Sequence, residues 1–422
     1  PRALHDVKQL LDLIPWVNLS KTESITAAMD EFFTEAQKDK ISKYASSIDD
    51  FHEALQLLAN EFAIDLTNKD QVKKLFDTTR QLFNHIGGRA SIAQDFIDFL
   101  KNTIGLNLKN QSWGTKSKLL TMTYKIAMGR KSLFTDFKYT LNQILSTFDI
   151  HNIVSLDGKY KQRLLTAALY VSIGKGNPEK GIKSGLEYFN DTLESISNTF
   201  NISPDDYKSL ELKEKIRLIT AAYNVSLGKE DGLNTFNDTL TAISTTFAID
   251  YKTIDDLHDK IRLITAAYSV SLGKESGYKT FNDTLIDISN TFDISPDDYK
   301  SIELEDKIRL ITAAYEVSLG KEDGLNTFND TLTAISNTFD IPPNDYKSLK
   351  LHDKIHLITA AYAVSLGKDD GYKTFNDTLT AIHNTFGIDY KTIDDLHDKI
   401  RLITAAYRIT LGKDGSLQDF SS

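Results

Sequence analysis

The chain has 422 residues, of which 41% are apolar and 26% charged, a composition that excludes global disorder. It contains no cysteine, which excludes disulfide scaffolds, thiolate zinc sites and cysteine nucleophiles. The net charge of −10 argues against a nucleic-acid-binding protein, since such proteins are usually basic.

The sequence also bears on compartment. It has no run of about 18 apolar residues, so no transmembrane segment is predicted. The first sixteen residues lack the apolar stretch and cleavage site of a signal peptide. With the absence of cysteine, this favours a soluble protein of a reducing compartment, or one exported without passing the disulfide-forming secretory route. The Asn-, Lys-, Ile- and Asp-rich composition is typical of a bacterial protein, and an effector role on a host cell is one hypothesis.

At the start of the chain, residues 1–46 are predicted to form capping helices, and residues 47–183 to form divergent helical repeats. The segment 101–183 holds 14 Lys and Arg against 4 Asp and Glu, a net charge of +10. An aromatic residue among lysines can anchor an acidic partner, an anionic membrane surface or a nucleic acid. Solvated outer faces would explain the same lysines without a ligand. The predicted contacts here are Trp113, Lys116, Lys118, Arg130 and Lys131.

Near-identical repeats dominate residues 184–412. The motif LITAAY begins at residues 218, 263, 310, 357 and 402, at spacings of 45, 47, 47 and 45 residues, and weaker copies precede it. A period of this length is typical of stacked helical units. We predict an all-α fold, an α-solenoid of about 7–8 tandem helical hairpins in an elongated superhelical array. Residues 413–422 are predicted to be a frayed tail.

Each unit is predicted to contain two helices. Helix A, residues 254–272 in one copy, is apolar on two faces, and helix B, residues 281–292, has one narrow apolar stripe. Gly273 is predicted to cap helix A in a left-handed conformation, and Thr280 to begin helix B. In some units the connection from B to A is predicted to add a short helix at Pro296. Apolar residues repeated in every unit are expected to be core.

Few residues indicate chemistry. His352 and His356 have the i, i+4 spacing that can bind zinc. Other units carry Arg in place of His356, and Lys213 or Glu305 in place of His352, which indicates a solvated face. No metal site is therefore predicted. The GKEDG segments lack the pattern of a phosphate-binding loop, and no nucleophile–base arrangement is evident. We predict no cofactor, no catalytic residue and no enzymatic activity.

Positions that vary between near-identical units are expected to face a ligand. On helix A these are Asn224, Ser269, Glu316, Ala363 and Arg408. We therefore predict a helical-repeat binding or scaffold protein that presents an extended surface to another macromolecule, most simply a protein. Two alternatives stay open. One is a divergent enzyme or toxin in residues 1–150 with the repeats as a targeting arm. The other is peripheral binding to an anionic membrane or nucleic acid through the basic segment.

Overall fold

The computed structural model describes residues 57–65, 67–83, 89–129, 132–174, 176, 182–272, 274–319, 321–366 and 368–411. In these ranges the regular structure is helical, apart from one isolated β-bridge residue, so the predicted all-α class is confirmed. No helix within them has the length and apolar character needed to cross a membrane. The predicted N-terminal capping helices, the frayed tail, and Arg130 and Lys131 lie outside the described residues.

The chain divides into two compact units. The first unit comprises the described residues up to 190 together with residues 207–223, and the second comprises residues 191–206 together with those from 224 onward. Helices within the first unit are α1 (Lys69–Phe83), α2 (Arg89–Asp98), a π-helical turn (Phe99–Thr103), α3 (Trp113–Met128), α4 (Leu133–Thr147), a 3₁₀ turn (Ile153–Ser155) and α5 (Gly158–Ile173).

Three helices contribute residues to both units, namely α6 (Gly185–Phe200), α7 (Pro204–Ser209) and α8 (Leu212–Leu227). The second unit continues with α9 (Lys229–Phe247), α10 (Leu257–Ser271), α11 (Lys274–Phe292), α12 (Pro296–Ser301), α13 (Leu304–Leu319), α14 (Lys321–Phe339), α15 (Pro343–Ser348), α16 (Leu351–Ser365), α17 (Lys368–Phe386), a 3₁₀ turn (Tyr390–Thr392) and α18 (Leu396–Leu411).

Each repeat is a module of two helices, and both predicted types occur. The helices A are α3, α5, α8, α10, α13, α16 and α18; the helices B are α4, α6, α9, α11, α14 and α17. In helix B the predicted stripe is core, since Phe281, Leu285, Ile288 and Phe292 are at most 1% exposed. Helix A packs on both sides in the second unit, because α13 contacts α10 and α16, and α16 also contacts α18.

The predicted boundaries of the helices need correction. Helix A begins at Leu257, not at 254, because the side chain of Asp256 caps it by accepting from the Asp259 amide at 2.8 Å. Helix B begins at Lys274, seven residues earlier than predicted, so the Thr280 cap is wrong. Gly273 lies outside the described residues, but its equivalent Gly228 has a right-handed φ of −79°.

Left-handed residues occur instead at the end of helix B. Ala248, Asp293 and Asp340 have φ values of 48°, 52° and 51°. Each of the three ends a helix B with a left-handed C-terminal cap. At Ala248, for example, the following Ile249 amide donates to the Ser244 carbonyl at 2.8 Å. The last carbonyls of helix B are thereby turned toward the neighbouring module.

A glycine sets the distance between the two helices of a module. A Cβ atom on Gly277, Gly324 or Gly371 would lie 2.2 Å from the carbonyl oxygen of Val270, Val317 or Val364, respectively. No side chain fits at that distance. The segment that resembles a Gly-containing turn is therefore the first turn of helix B, pressed against the backbone of helix A.

A lysine of helix A joins each module to the next but one within each unit; it is buried in every pair below except that of Lys399, which is half-buried. Its ammonium group donates to the carbonyl of the left-handed residue, or of its glycine equivalent, that follows the helix B two modules back. The pairs are Lys116 with Ala63 (3.1 Å), Lys161 with Gly105 (3.0 Å), Lys260 with Asn201 (3.2 Å), Lys307 with Ala248 (3.5 Å), Lys354 with Asp293 (3.0 Å) and Lys399 with Asp340 (3.1 Å).

An aromatic pair marks the same joints. The last Phe of helix B packs on a Tyr from the connection that follows the next helix B. The ring centroids are 5.1 to 5.5 Å apart in the pairs Phe148–Tyr207, Phe200–Tyr251, Phe247–Tyr299, Phe292–Tyr346 and Phe339–Tyr390.

The connections that supply these tyrosines have two forms. Tyr299 lies in the predicted short helix, which is confirmed as α12, with a capping box between Ser295 and Asp298. Tyr251 lies in a turn between α9 and α10. The two forms place a tyrosine on the same phenylalanine position.

The lysine at the joint can be tested with Lys354→Met, which keeps the apolar stem and removes the donor. Lys354 is 7% exposed, so the Asp293 carbonyl loses a partner at a site that water reaches poorly. We expect the free energy of unfolding, from urea titration, to fall by about 1–3 kcal/mol. Lys373→Met, at an exposed position of α17, serves as the control and should change it by less than about 0.5 kcal/mol. Equal effects of the two variants would contradict the role of the joint.

The glycine contact predicts opposite effects at two helical glycines. Gly324→Ala should destabilise the protein by about 1–3 kcal/mol, because its methyl group would overlap the Val317 carbonyl. Gly114→Ala in α3 meets open space and should stabilise it by about 0.4–1 kcal/mol, by lowering the entropy of the unfolded chain. Thermal or urea unfolding of both variants measures the difference. A neutral Gly324→Ala would show that the two helices are not held at this distance.

Candidate functional site

Packing on several sides leaves each helix A with one accessible stripe. In α10 it consists of residues at i, i+4, i+7 and i+11 and ends at the C-cap Leu272, and these positions lie on one side of a helix. The members are His258, Arg262, Thr265 and Leu272, which are exposed or half-buried, and Ser269, which is buried. The stripe is thus charged at the N-terminal end of helix A and apolar at its C-terminal end.

The apolar end forms what we call the leucine row, Leu227, Leu272, Leu319 and Leu366 of the second unit. These four side chains are 50%, 53%, 56% and 52% exposed, respectively. The expectation that every repeated leucine is core is therefore wrong at this position. Since α10 packs on α13 and α13 on α16, the last three leucines lie on the order of 10 Å apart.

At the charged end, the second unit carries acids paired with bases of the next helix A. His352 Nδ1 donates to Asp306 Oδ2 at 2.7 Å, and His397 Nδ1 donates to Asp353 Oδ1 at 2.9 Å. Arg309 donates to the other oxygen of Asp306 at 2.9 Å and also pairs with Glu305. These bonds link α13 to α16 and α16 to α18.

His356 is the most constrained residue of this region. Arg309 Nη1 lies 3.2 Å from its Nε2, and a guanidinium only donates, so Nε2 accepts. The ring proton therefore sits on Nδ1, which donates to Thr404 Oγ1 at 3.2 Å. Burial, then the neighbouring His352 and Arg309, lowers the pKa of His356 below its usual value. The imidazole is accordingly neutral at neutral pH.

Three potential metal ligands converge here. Asp306, His352 and His356 each offer a ligand atom, and these atoms lie within 4.8 Å of one another. His352 is exposed, as the sequence indicated, but His356 is half-buried. Sequence reasoning missed the third residue, because Asp306 precedes His352 by 46 positions and comes from the neighbouring module.

In the first unit the same stripe is basic. We call Lys118, Lys159, Arg163, Lys213 and Arg217 the basic row; all are exposed except Arg217, which is half-buried. The pKa of Lys213 is lowered by Arg217 first, then by burial and by Lys159. The largest contribution comes from a cation of the same helix, and Lys159 of the neighbouring helix A adds a smaller one.

The residues predicted to contact a partner in the basic segment differ in their exposure. Lys118 is exposed and belongs to the basic row, and Trp113 is half-buried as the first residue of α3. Lys116 is 9% exposed, and its ammonium donates to the Ala63 carbonyl inside the protein. Its charge therefore serves the joint between modules and is not offered to a partner.

The variable positions of helix A share one register, in the middle of the stripe, but differ in access. Arg408 is exposed and Asn224 half-buried, whereas Ser269 and Ala363 are 7% and 4% exposed. Glu316 is half-buried and accepts from the Tyr315 hydroxyl at 2.8 Å. Burial, followed by that carboxylate, raises the pKa of Tyr315. The positions that vary between units thus lie on one side of helix A, but not all of them are accessible to a partner.

Comparison with known proteins adds no function. No protein family, no curated protein and no solved structure matches the chain.

Proposed function

We propose that the chain is a helical-repeat binding protein whose modules stack into an α-solenoid and present the stripes of helix A to another protein. The observation that carries this proposal is the leucine row. One leucine is about half exposed in four modules, although the valine two positions before it is buried each time. Exposed apolar residues are ordinary when scattered, but a repeated set at one register is typical of an interaction surface.

The solenoid is supported by the repeated joints. Within each unit the same lysine–carbonyl bond recurs between each module and the next but one, and the same Phe–Tyr contact recurs between the end of one helix B and the connection that follows the next. Modules that meet through one repeated interface extend the stack by a constant step. An extended surface with one stripe per module follows from that geometry.

The spacing and charge of this surface favour a basic amphipathic helix as the bound segment. A helix repeats one face at i and i+7, about 10.5 Å apart, which is of the order expected for leucines on neighbouring packed helices. Residues 184–422 hold 24 Lys and Arg against 39 Asp and Glu, a net charge of −15, which would attract a basic segment. Apolar side chains of such a helix would contact the leucine row.

The test is a triple variant, Leu272→Ser, Leu319→Ser and Leu366→Ser. These side chains are half exposed, so the helical content by circular dichroism should be retained. A partner captured by the wild-type chain should bind the variant on the order of 100-fold more weakly, at about 1 kcal/mol for each leucine.

The control for this test is Ile286→Ser, which removes an equally exposed apolar residue from helix B. It should bind the same partner with wild-type affinity. If the triple variant binds as tightly as the wild type, or the control loses as much, the leucine row is not the binding surface.

The basic row favours a second candidate, peripheral binding of the first unit to an anionic membrane. Its exposed cations repel one another, and an anionic surface would relieve that repulsion. Enzymatic activity in residues 1–150 is favoured by none of the contacts described above, and we do not propose it.

Membrane binding is tested by sedimentation with phosphatidylserine vesicles. The wild type should bind them and be released by salt, whereas Lys159→Gln/Arg163→Gln/Lys213→Gln should bind at least tenfold more weakly. Lys373→Gln, in the second unit, should bind as the wild type does. Equal binding to phosphatidylcholine vesicles, or salt-insensitive binding, would exclude this candidate, and stronger binding to an oligonucleotide would replace it with nucleic-acid recognition.

A further inference from the structure

We propose that Asp306, His352 and His356 form a binding site for a divalent transition metal ion of the class of Zn²⁺ or Co²⁺. Two imidazoles and a carboxylate are an established ligand set for such ions, with water completing the coordination. The site lies between modules, because α13 supplies Asp306 and α16 supplies both histidines. It is independent of partner binding by the leucine row.

The donors are already close and accessible. Their ligand atoms lie within 4.8 Å of one another, and the two imidazole centroids are 4.2 Å apart. The His352 side chain is 61% exposed, so an ion and its waters can reach it from solvent. Asp306 is 9% exposed, and its two oxygens are held in place by His352 and Arg309.

The protonation state of the histidines favours metal binding. The Nε2 lone pair of His356 faces the cluster, since Nδ1 carries the proton and donates to Thr404. This second bond fixes the ring orientation, as outer hydrogen bonds commonly do for metal-ligating histidines. The groups around the ring are His352, Arg309, Asp306 and Arg408. An imidazole nitrogen without a proton is the form that binds metal.

Arg309 already contacts two of the atoms that a metal ion would bind, so it would compete with the ion. Its guanidinium holds both Asp306 and Nε2 of His356, and a bound metal would take its place. Glu305, one turn earlier on α13, already pairs with Arg309 and would retain it after displacement. The ion therefore replaces one cation by another without leaving a guanidinium unpaired.

The site requires three particular residues at equivalent positions of two neighbouring helices A. The next pair of helices, α16 and α18, lacks one of them. There Asp353 accepts from His397 as Asp306 does from His352, but Arg401 occupies the position of His356. That joint holds two of the three ligands. Among the described residues, the group at Asp306 is the one that brings three such ligands together.

The experiment uses the untagged full chain, titrated with Zn²⁺ by calorimetry and with Co²⁺ by visible absorption. The wild type should bind one equivalent and melt at a higher temperature when saturated, because the ion links α13 to α16. Binding should weaken as the pH falls, because protons compete with the ion for the imidazole nitrogens. His356→Arg introduces the residue that other modules carry, so it should fold normally and lose the bound equivalent.

Two further variants sharpen the test. His397→Gln removes a histidine that pairs with an aspartate in the same way but lacks a second histidine, and it should leave binding unchanged. Arg401→His completes the second register and should raise the stoichiometry from one equivalent to two.

The outcomes separate cleanly. The proposal is overturned if the folded wild type binds no more Zn²⁺ or Co²⁺ than His356→Arg, or if His397→Gln lowers binding as much as His352→Gln does. A second equivalent in Arg401→His supports the register as the determinant. Its absence alongside a wild-type equivalent would contradict that part of the proposal.

Discussion

The structure depends on one constraint: a single pair of helices cannot bury its own apolar surface, so each module must be held against the next. The joint lysine meets this constraint in two ways. Its stem lies in the apolar contact, and its charge is placed at the C-terminal end of helix B, where unpaired carbonyls and the helix dipole favour a cation. A charge that would be costly to bury alone is thereby satisfied at the point where two modules meet.

This separation of roles explains which residues of helix A vary. The joint lysine and the residues of the Phe–Tyr contact recur because each has a fixed partner in another module. The charged end of the stripe uses other positions than the joint lysine, and it is basic in the first unit and acid–base paired in the second. The same scaffold therefore carries different surface chemistry without a change in its packing.

Sequence reasoning predicted the all-helical fold, the two helices of each module and the short helix at Pro296, because periodicity and capping are local signals. It misplaced the start of helix B, since a glycine required for contact with the Val317 carbonyl looks the same as a glycine in a turn. It also missed every interaction between modules. Lys354 and Asp293 are 61 residues apart, and no local pattern joins them. The repetition of Leu272 predicted a buried position, but repetition shows only that the residue type is retained in every unit.

The two forms of the connection have a consequence for how such a gene evolves. A turn with Tyr251 and a short helix with Tyr299 each deliver an aromatic ring to the end of a helix B, even though they differ in length. Unequal crossing-over between any two near-identical copies therefore leaves every aromatic pair intact, whichever connection is inherited. Alleles with different copy numbers can therefore arise in one step, so the number of modules can change far faster than their sequence.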